Sequence, residues 1–205
     1  MGMTLIAPTE SGTPFSLNGQ LLVAMPGIGD ERFDRTVIYV CAHSPEGAMG
    51  LIINRPADEI AFVDLLKQLK VIPEGPVVDF SEKALDVHVM RGGPVETSRG
   101  FVLHSASEQS GSVTTDGECG VRISANIDIL HAIAKGVGPD RAAFALGYAG
   151  WGAGQLEAEI QNNGWLLCPP SSDILFDEDF ETKYERALAS IGVDLAMLSG
   201  EAGRA

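Results

Sequence analysis

Leu21 to Ala24 is an unbroken apolar run, which predicts a short buried strand. The loop "MPGIGDERF" follows it. Thr36 to Cys41 is β-branched and aromatic, a strand signal, and "AHSPEG" predicts a turn into a returning strand over Gly50 to Asn54. Together these read as a hairpin with a longer loop, ended by Pro56. From Asp58 to Lys70 the period changes. Phe62, Leu65, Leu66 and Leu69 fall at helical spacing, with acids early and lysines late, as the helix dipole prefers. Val77 to Phe80, Val87 to Met90 and Phe101 to His104 predict strands, with "RGGP" a turn. Ser112 to Thr115 and Val121 to Ser124 flank "DGECG" as a hairpin. Asn126 is placed to cap a helix running to Lys135, with Gly136 as its left-handed terminator. Ala142 to Tyr148 reads as a strand, Gln155 to Asn163 as a helix closed by Gly164, and Trp165 to Cys168 as a strand halted by Pro169 and Pro170. Asp177 is placed to cap a last long helix with the apolar stripe Phe180, Tyr184, Ala187, Leu188 and Ile191. Strands come in pairs more often than in strict β–α alternation. The expectation is one mixed, largely antiparallel α+β domain over residues 20–192, after an irregular arm over 1–19 and before a fraying tail over 193–205.

Composition narrows the function. With 205 residues, 45% of them hydrophobic, the chain suits one domain that folds without metal or disulfide. Its 28 acids against 14 Lys and Arg give a formal charge of -14, and no basic run appears. Binding to a phosphate backbone needs clustered cations, so direct nucleic-acid binding is not expected. The longest uncharged stretch, Ser11 to Gly29, is interrupted by Pro14, Asn18, Gln20 and Pro26, which argues against a membrane span. The first basic residue is Arg32, so no positive region precedes an apolar core as a secretory signal requires. Cys41, Cys119 and Cys168 are odd in number, far apart and without a C-x-x-C pair. The expectation is a soluble cytoplasmic protein with no membrane association.

The stretch "GYAGWGAGQLE" holds the densest glycines. A strand feeding a helix through glycines can hold an anion, but Gln155 stands where G-x-G-x-x-G needs its third glycine, and Glu157 and Glu159 would repel a phosphate. The plainer reading is a tight junction in which Trp151 packs on something distant, as a core anchor or as the wall of a small pocket. Gly27-Ile28-Gly29 lacks both a third glycine and a Walker lysine. Cys41 and His43 share a strand face, and His88 and His104 would have to converge on them to hold a metal. Lacking a metal-site motif, they imply no metal site and no cofactor. His104 beside Ser105 reads as a structural histidine. No G-x-S-x-G occurs, so no catalytic residue is assigned. The acids Asp173, Asp177, Glu178, Asp179 and Glu181 suit a helix N-terminus without a metal.

Three blocks, "LLVAMPGIGDERFDRTVIYVCAHSPEGAMGLIINRP", "RGGPVETSRGFVLHS" and "GYAGWGAGQLEAEIQNNGWL", together resemble the YqgE/AlgH family of bacterial proteins over about Leu17 to Phe176. The resemblance implies an α+β domain whose sheets form a pseudo-barrel flanked by helices, in a bacterial cytosolic protein. It implies no reaction, and some members carry the label putative transcriptional regulator. One departure is Arg91 before Gly92-Gly93-Pro94, where the family more usually has an aromatic, a change that bears on any pocket wall there. The matching blocks draw attention to loop and strand-end positions: Pro26, Asp30, Arg35, Asn54, Gly92, Gly93, Arg99, His104 and Trp151. Either some of these loops meet around one cleft, or each is a turn with demanding backbone angles. Two functions remain open: a non-enzymatic regulator or adaptor acting on a protein or small-molecule partner, and an uncharacterised enzyme, with hydrolysis as one candidate reaction, built on Asp30, Arg35, Asn54, Arg99 and His104.

Overall fold

The structure, a computed structural model, describes residues 16–73, 81–106 and 120–198. Eight strands form one sheet: β1 (Leu21–Ala24), β2 (Val37–Ser44), β3 (Gly47–Ile52), β4 (Val89–Arg91), β5 (Val95–Ser105), β6 (Val121–Ser124), β7 (Ala142–Gly152) and β8 (Trp165–Cys168). Their order is β6-β5-β7-β3-β2-β1-β8, with β4 pairing β7 in parallel and every other pairing antiparallel. Among the described residues the sheet does not close, because β6 and β8 stand at its ends. The α+β class and the mostly antiparallel sheet are those expected from the sequence. The helices are α1 (Phe62–Gln68), α2 (Glu82–Leu85), α3 (Ile127–Ala134), α4 (Gln155–Gln161), α5 (Ser172–Phe176), α6 (Lys183–Ser190) and α7 (Leu195–Leu198).

Period-two alternation explains how one sheet serves three packing layers. Leu21, Val23, Val37, Tyr39, Phe101 and Leu103 point to one face, where α5 and α6 cover them through Ile174, Leu175, Tyr184 and Leu188. On the opposite face the first half of β7 sends Phe144 against α1 and α3, beside Val102, Phe62, Leu66 and Ile133. The second half sends Ala149 and Trp151 to join Leu22, Ile38, Ile52, Leu156 and Trp165 beneath α4. The long strand β7 thus changes partners along its length: Ala142–Leu146 lies between β4 and β5, and Ala149–Gly152 pairs β3.

The change of partner falls at Gly147, whose φ of 71° suits glycine. It also meets the β4–β5 turn at backbone distance. A Cβ on Gly93 would lie 2.1 Å from the Tyr148 carbonyl carbon, and one on Gly92 would lie 2.3 Å from the Gly147 oxygen. Gly92 and Gly93 are therefore glycines because two backbones touch there, which is the demanding-turn reading of these positions.

Several boundaries differ from the sequence pattern. The glycines 150 and 152 lie inside β7 rather than in a turn, and the turn falls at 153–154, with Gly154 at φ 71° opening α4. The helix expected from Asp58 begins at Phe62, after a turn closed by Ile60 N–H to the Ala57 carbonyl. Asp177 does not cap the last helix; it ends α5, and α6 begins at Lys183. Asp179 supplies the local bonds instead, accepting from the Thr182 N–H at 3.3 Å and hydroxyl at 2.6 Å. Asn126 does cap α3, accepting from the Ile129 N–H at 3.2 Å, and Gly136 follows at φ 74°. Val193, Leu195 and Leu198 pack partly buried against the first core layer. The strands expected over 77–80 and 112–115, the turn "DGECG" and Cys119 lie outside the described residues.

Candidate functional site

The loop after β1, the start of β5, the end of β7 and the helix α4 surround a cleft of about 370 Å³. Pro26, Gly27 and Asp30 line it from the first loop, Pro94 and Val95 from the β4–β5 turn, and Gly150 and Trp151 from β7. The loops near Gly27, Gly93 and Trp151 thus share one concavity. Trp165, Phe33, Gln155, Glu159 and Asn163 complete the walls.

Its inner wall is built around one carboxylate. On α4, Gln155 and Glu159 stand four apart and so share a helix face. Glu159 Oε2 accepts from Trp151 Nε1–H at 2.9 Å and from Trp165 Nε1–H at 2.8 Å. Glu159 Oε1 accepts from Gln155 Nε2–H at 2.9 Å, while Gln155 Oε1 accepts from the Gly152 N–H at 3.0 Å. The two indoles meet edge to face, centroids 5.9 Å apart, and Phe33 meets Trp165 the same way at 5.7 Å. Trp151 is 7% exposed and Trp165 2%. On the neighbouring strand β3, Gly50 has no room for a side chain, since a Cβ would sit 2.5 Å from Ile38 Cγ2.

At the rim, Asp30 caps the 3-10 turn Glu31–Phe33 by accepting from the Arg32 N–H at 3.0 Å. The same carboxylate accepts from Arg32 Nη2 at 2.7 Å and Nε at 3.0 Å. The Arg32 side-chain bond holds the Asp30 carboxyl below its usual range. Asp30 and Arg32 are thus one neutral pair, exposed on the surface.

Below the cleft, on the other side of α4, His43 Nε2 lies 2.9 Å from Glu157 Oε1, and His43 Nδ1 accepts from the Leu17 N–H at 3.2 Å. The Glu157 carboxyl is lowered first by its own backbone N–H and then by His43.

The remaining sequence candidates lie elsewhere. Arg35 stacks over Tyr184 at 4.8 Å and pairs with Glu185 at 3.2 Å. Asn54 is a backbone clamp: its Oδ1 accepts from the Val37 N–H and its Nδ2 donates to the Arg35 carbonyl, both at 2.8 Å. Arg99 stacks over Phe101 at 5.3 Å and pairs with Glu96 at 3.0 Å. His104 is sealed at 0% exposure, between Ser124 Oγ and the Ser105 carbonyl, each 2.9 Å away. Burial pushes its pKa down. Gly92 and Gly93 sit behind the cleft rim at the contact with β7. Arg91, the departure from the family pattern, points away and pairs with Glu59 at 2.5 Å. The five residues Asp30, Arg35, Asn54, Arg99 and His104 are therefore dispersed, not one constellation. Cys41 is buried, with its thiol pKa pushed up, and His43 is engaged by Leu17 and Glu157, so the thiol is not an activated nucleophile.

Sequence reading found Trp151, Pro26 and Asp30 but missed Glu159, Trp165, Gln155 and Phe33. A signal was present. Gln155 and Glu159 fall on one face of a helix flanked in sequence by the chain's two tryptophans. Glu159 was weighed only as a repulsive charge, not as an acceptor for two indoles.

Comparison with known proteins places the chain. The family model DUF179, described as AlgH-like, matches residues 21–196. A UPF0301 protein of Afipia carboxidovorans is 56% identical over 197 residues, 96% of this chain and 93% of its own length. One from Beijerinckia indica is 52% identical over all 205 residues and the whole of both chains. The solution structure of the AlgH protein from Pseudomonas aeruginosa is similar with a TM-score of 0.72 and 41% identity, covering 99% of this chain and 100% of that one.

Proposed function

This chain belongs to the AlgH-like family of UPF0301 proteins, and from that premise we propose that it is a non-enzymatic regulatory or adaptor protein of the bacterial cytosol. It acts by holding a protein or small-molecule ligand in the cleft over Trp151. The observation that carries this reading is the use to which the cleft's carboxylates are put. Glu159 accepts from Trp151, Trp165 and Gln155, and Asp30 accepts from Arg32. Neither lies beside a nucleophile to activate, since no Ser, Cys, His or Lys is among the described residues lining the cleft. What the walls offer is aromatic and amide surface on a rigid frame, the composition of a binding site. A formal charge of -14 argues that any regulatory effect on transcription is indirect, through a partner rather than through DNA.

The test pairs a partner search with a turnover screen. A photo-crosslinking residue placed at Asn163, exposed at the rim, is expected to capture a ligand from the cytosol, and no substrate panel is expected to turn over. Turnover abolished by Glu159→Gln or Asp30→Asn would contradict the proposal. So would retardation of labelled DNA that weakens steeply with salt.

A further inference from the structure

The chemistry of the cleft selects a class of ligand. Glu159 stands at the back of an aromatic cluster of Trp151, Trp165 and Phe33, in which both indoles are buried and Phe33 is partly exposed at the cleft. Three donors occupy it, and a carboxylate has about four acceptor sites, so one remains on Oε1 beside Gln155. The other charges at the cleft, Asp30 and Arg32, neutralise each other, which leaves Glu159 as the uncompensated one. Aromatic faces carry negative potential and attract cations, guanidinium most readily. Among the described residues arginine makes that contact three times, Arg32 over Phe33 at 5.9 Å, Arg35 over Tyr184 at 4.8 Å and Arg99 over Phe101 at 5.3 Å, and Lys183 makes it over Phe180 at 4.7 Å.

The cleft is also larger than one side chain requires. At about 370 Å³ it lies near the low end of the ~300–1,000 Å³ range of ligand pockets. Pro26, Pro94 and Val95 offer apolar rim, and Gln155, Asn162 and Asn163 offer amides suited to a peptide backbone. A formal charge of -14 would steer a basic segment toward the protein and repel an acidic one.

The geometry points to an arginine side chain, carried on an extended basic segment of a partner protein, as the occupant of this cleft. The guanidinium donates to Glu159 Oε1 beside the partly exposed Phe33, and the flanking backbone crosses the rim. This rests on the binding reading above and adds to it the charge and source of the ligand.

Both tryptophans of the chain line the cleft, so tryptophan emission, excited selectively over tyrosine, reports on this place alone. The experiment titrates the full chain at low salt with a Gly-Gly-Arg-Gly-Gly peptide, blocked at both ends. Parallel arms use the same peptide with citrulline or lysine at the centre, and free argininamide. The arginine peptide is expected to change the emission saturably. Citrulline, the same shape without charge, is expected to bind at least tenfold more weakly, and argininamide also more weakly than the peptide. Glu159→Gln is expected to abolish the preference for arginine over citrulline. Arg32→Gln, which frees Asp30 at an exposed position, is expected to tighten binding severalfold, a gain that no folding defect produces. Equal binding of the citrulline peptide would overturn the cationic ligand and leave the cleft a binding site for neutral segments. Equal or tighter binding of lysine or of argininamide would overturn the arginine and the peptide source, respectively. A silent titration with every ligand, while the crosslinker at Asn163 still captures a partner, would overturn this inference and spare the binding reading.

Discussion

His104 and Glu159 each hold a polar side chain against the sheet, and they end in opposite situations. His104 lies on β5 at 0% exposure, bonded to Ser124 and the Ser105 carbonyl. Glu159 also accepts three hydrogen bonds, yet it lines a cleft that solvent enters. A polar group bonded and sealed fixes strand register and has nothing left to offer. One that is bonded and open stabilises a wall and still presents its charge. The difference separates a structural polar group from a functional one better than residue type does, since a histidine is the commoner catalytic side chain.

The comparison breaks most readily at the sealed site. His104→Ala leaves Ser124 without its partner in a dry interior and opens a cavity, so a loss of about 3 kcal/mol is expected, read as a lower urea midpoint. The native tryptophan emission should stay put, because the cleft is untouched. At the open site the cost is smaller. Glu159→Ala deprives two indole N–H groups of their acceptor, but water can enter and replace it. About 1–2 kcal/mol is expected, with a clear change in native emission.

A pH series sharpens the contrast. Burial lowers the folded-state pKa of His104 below its unfolded value of about 6.5, so the unfolded chain binds the proton more readily. Its contribution is complete above about pH 6.5 and is lost as pH falls from there through the depressed folded value. Urea midpoints measured downward from pH 7.5 to 5.5 should decline, and His104→Asn should flatten that slope. The smallest effect is at the rim: Arg32→Gln removes only an exposed ion pair, and the urea midpoint should be indistinguishable from that of the unaltered protein.

The sheet was legible because a short apolar or β-branched run is a local signal. Leu21 and Val23 pack on one face while Leu22 and Ala24 pack on the other, and the sequence shows all four as one apolar run. The continuation of β7 from Tyr148 to Gly152 was not legible, since glycine permits a turn and equally permits a strand. Gly150 is in strand because β3 pairs it through Met49, a contact about a hundred residues away in sequence. The site was legible only in part for the same reason. Trp151 and Pro26 advertise themselves by residue type, whereas Glu159 acquires its role only when α4 brings Trp151 and Trp165 to the same carboxylate. Asn54, Arg35 and Arg99 looked like chemistry from their placement at strand ends. They are engaged with a backbone, a tyrosine ring and a phenylalanine ring.

The account depends on one carboxylate shared by two indoles at the wall of an open cleft. Indole N–H resonances of the protein labelled with ¹⁵N-tryptophan test it directly. Two signals are expected; both should shift in Glu159→Gln and both should hold their positions in His104→Ala. If only one indole signal moved in Glu159→Gln, or neither did, the shared carboxylate would be contradicted, and with it the cleft as described.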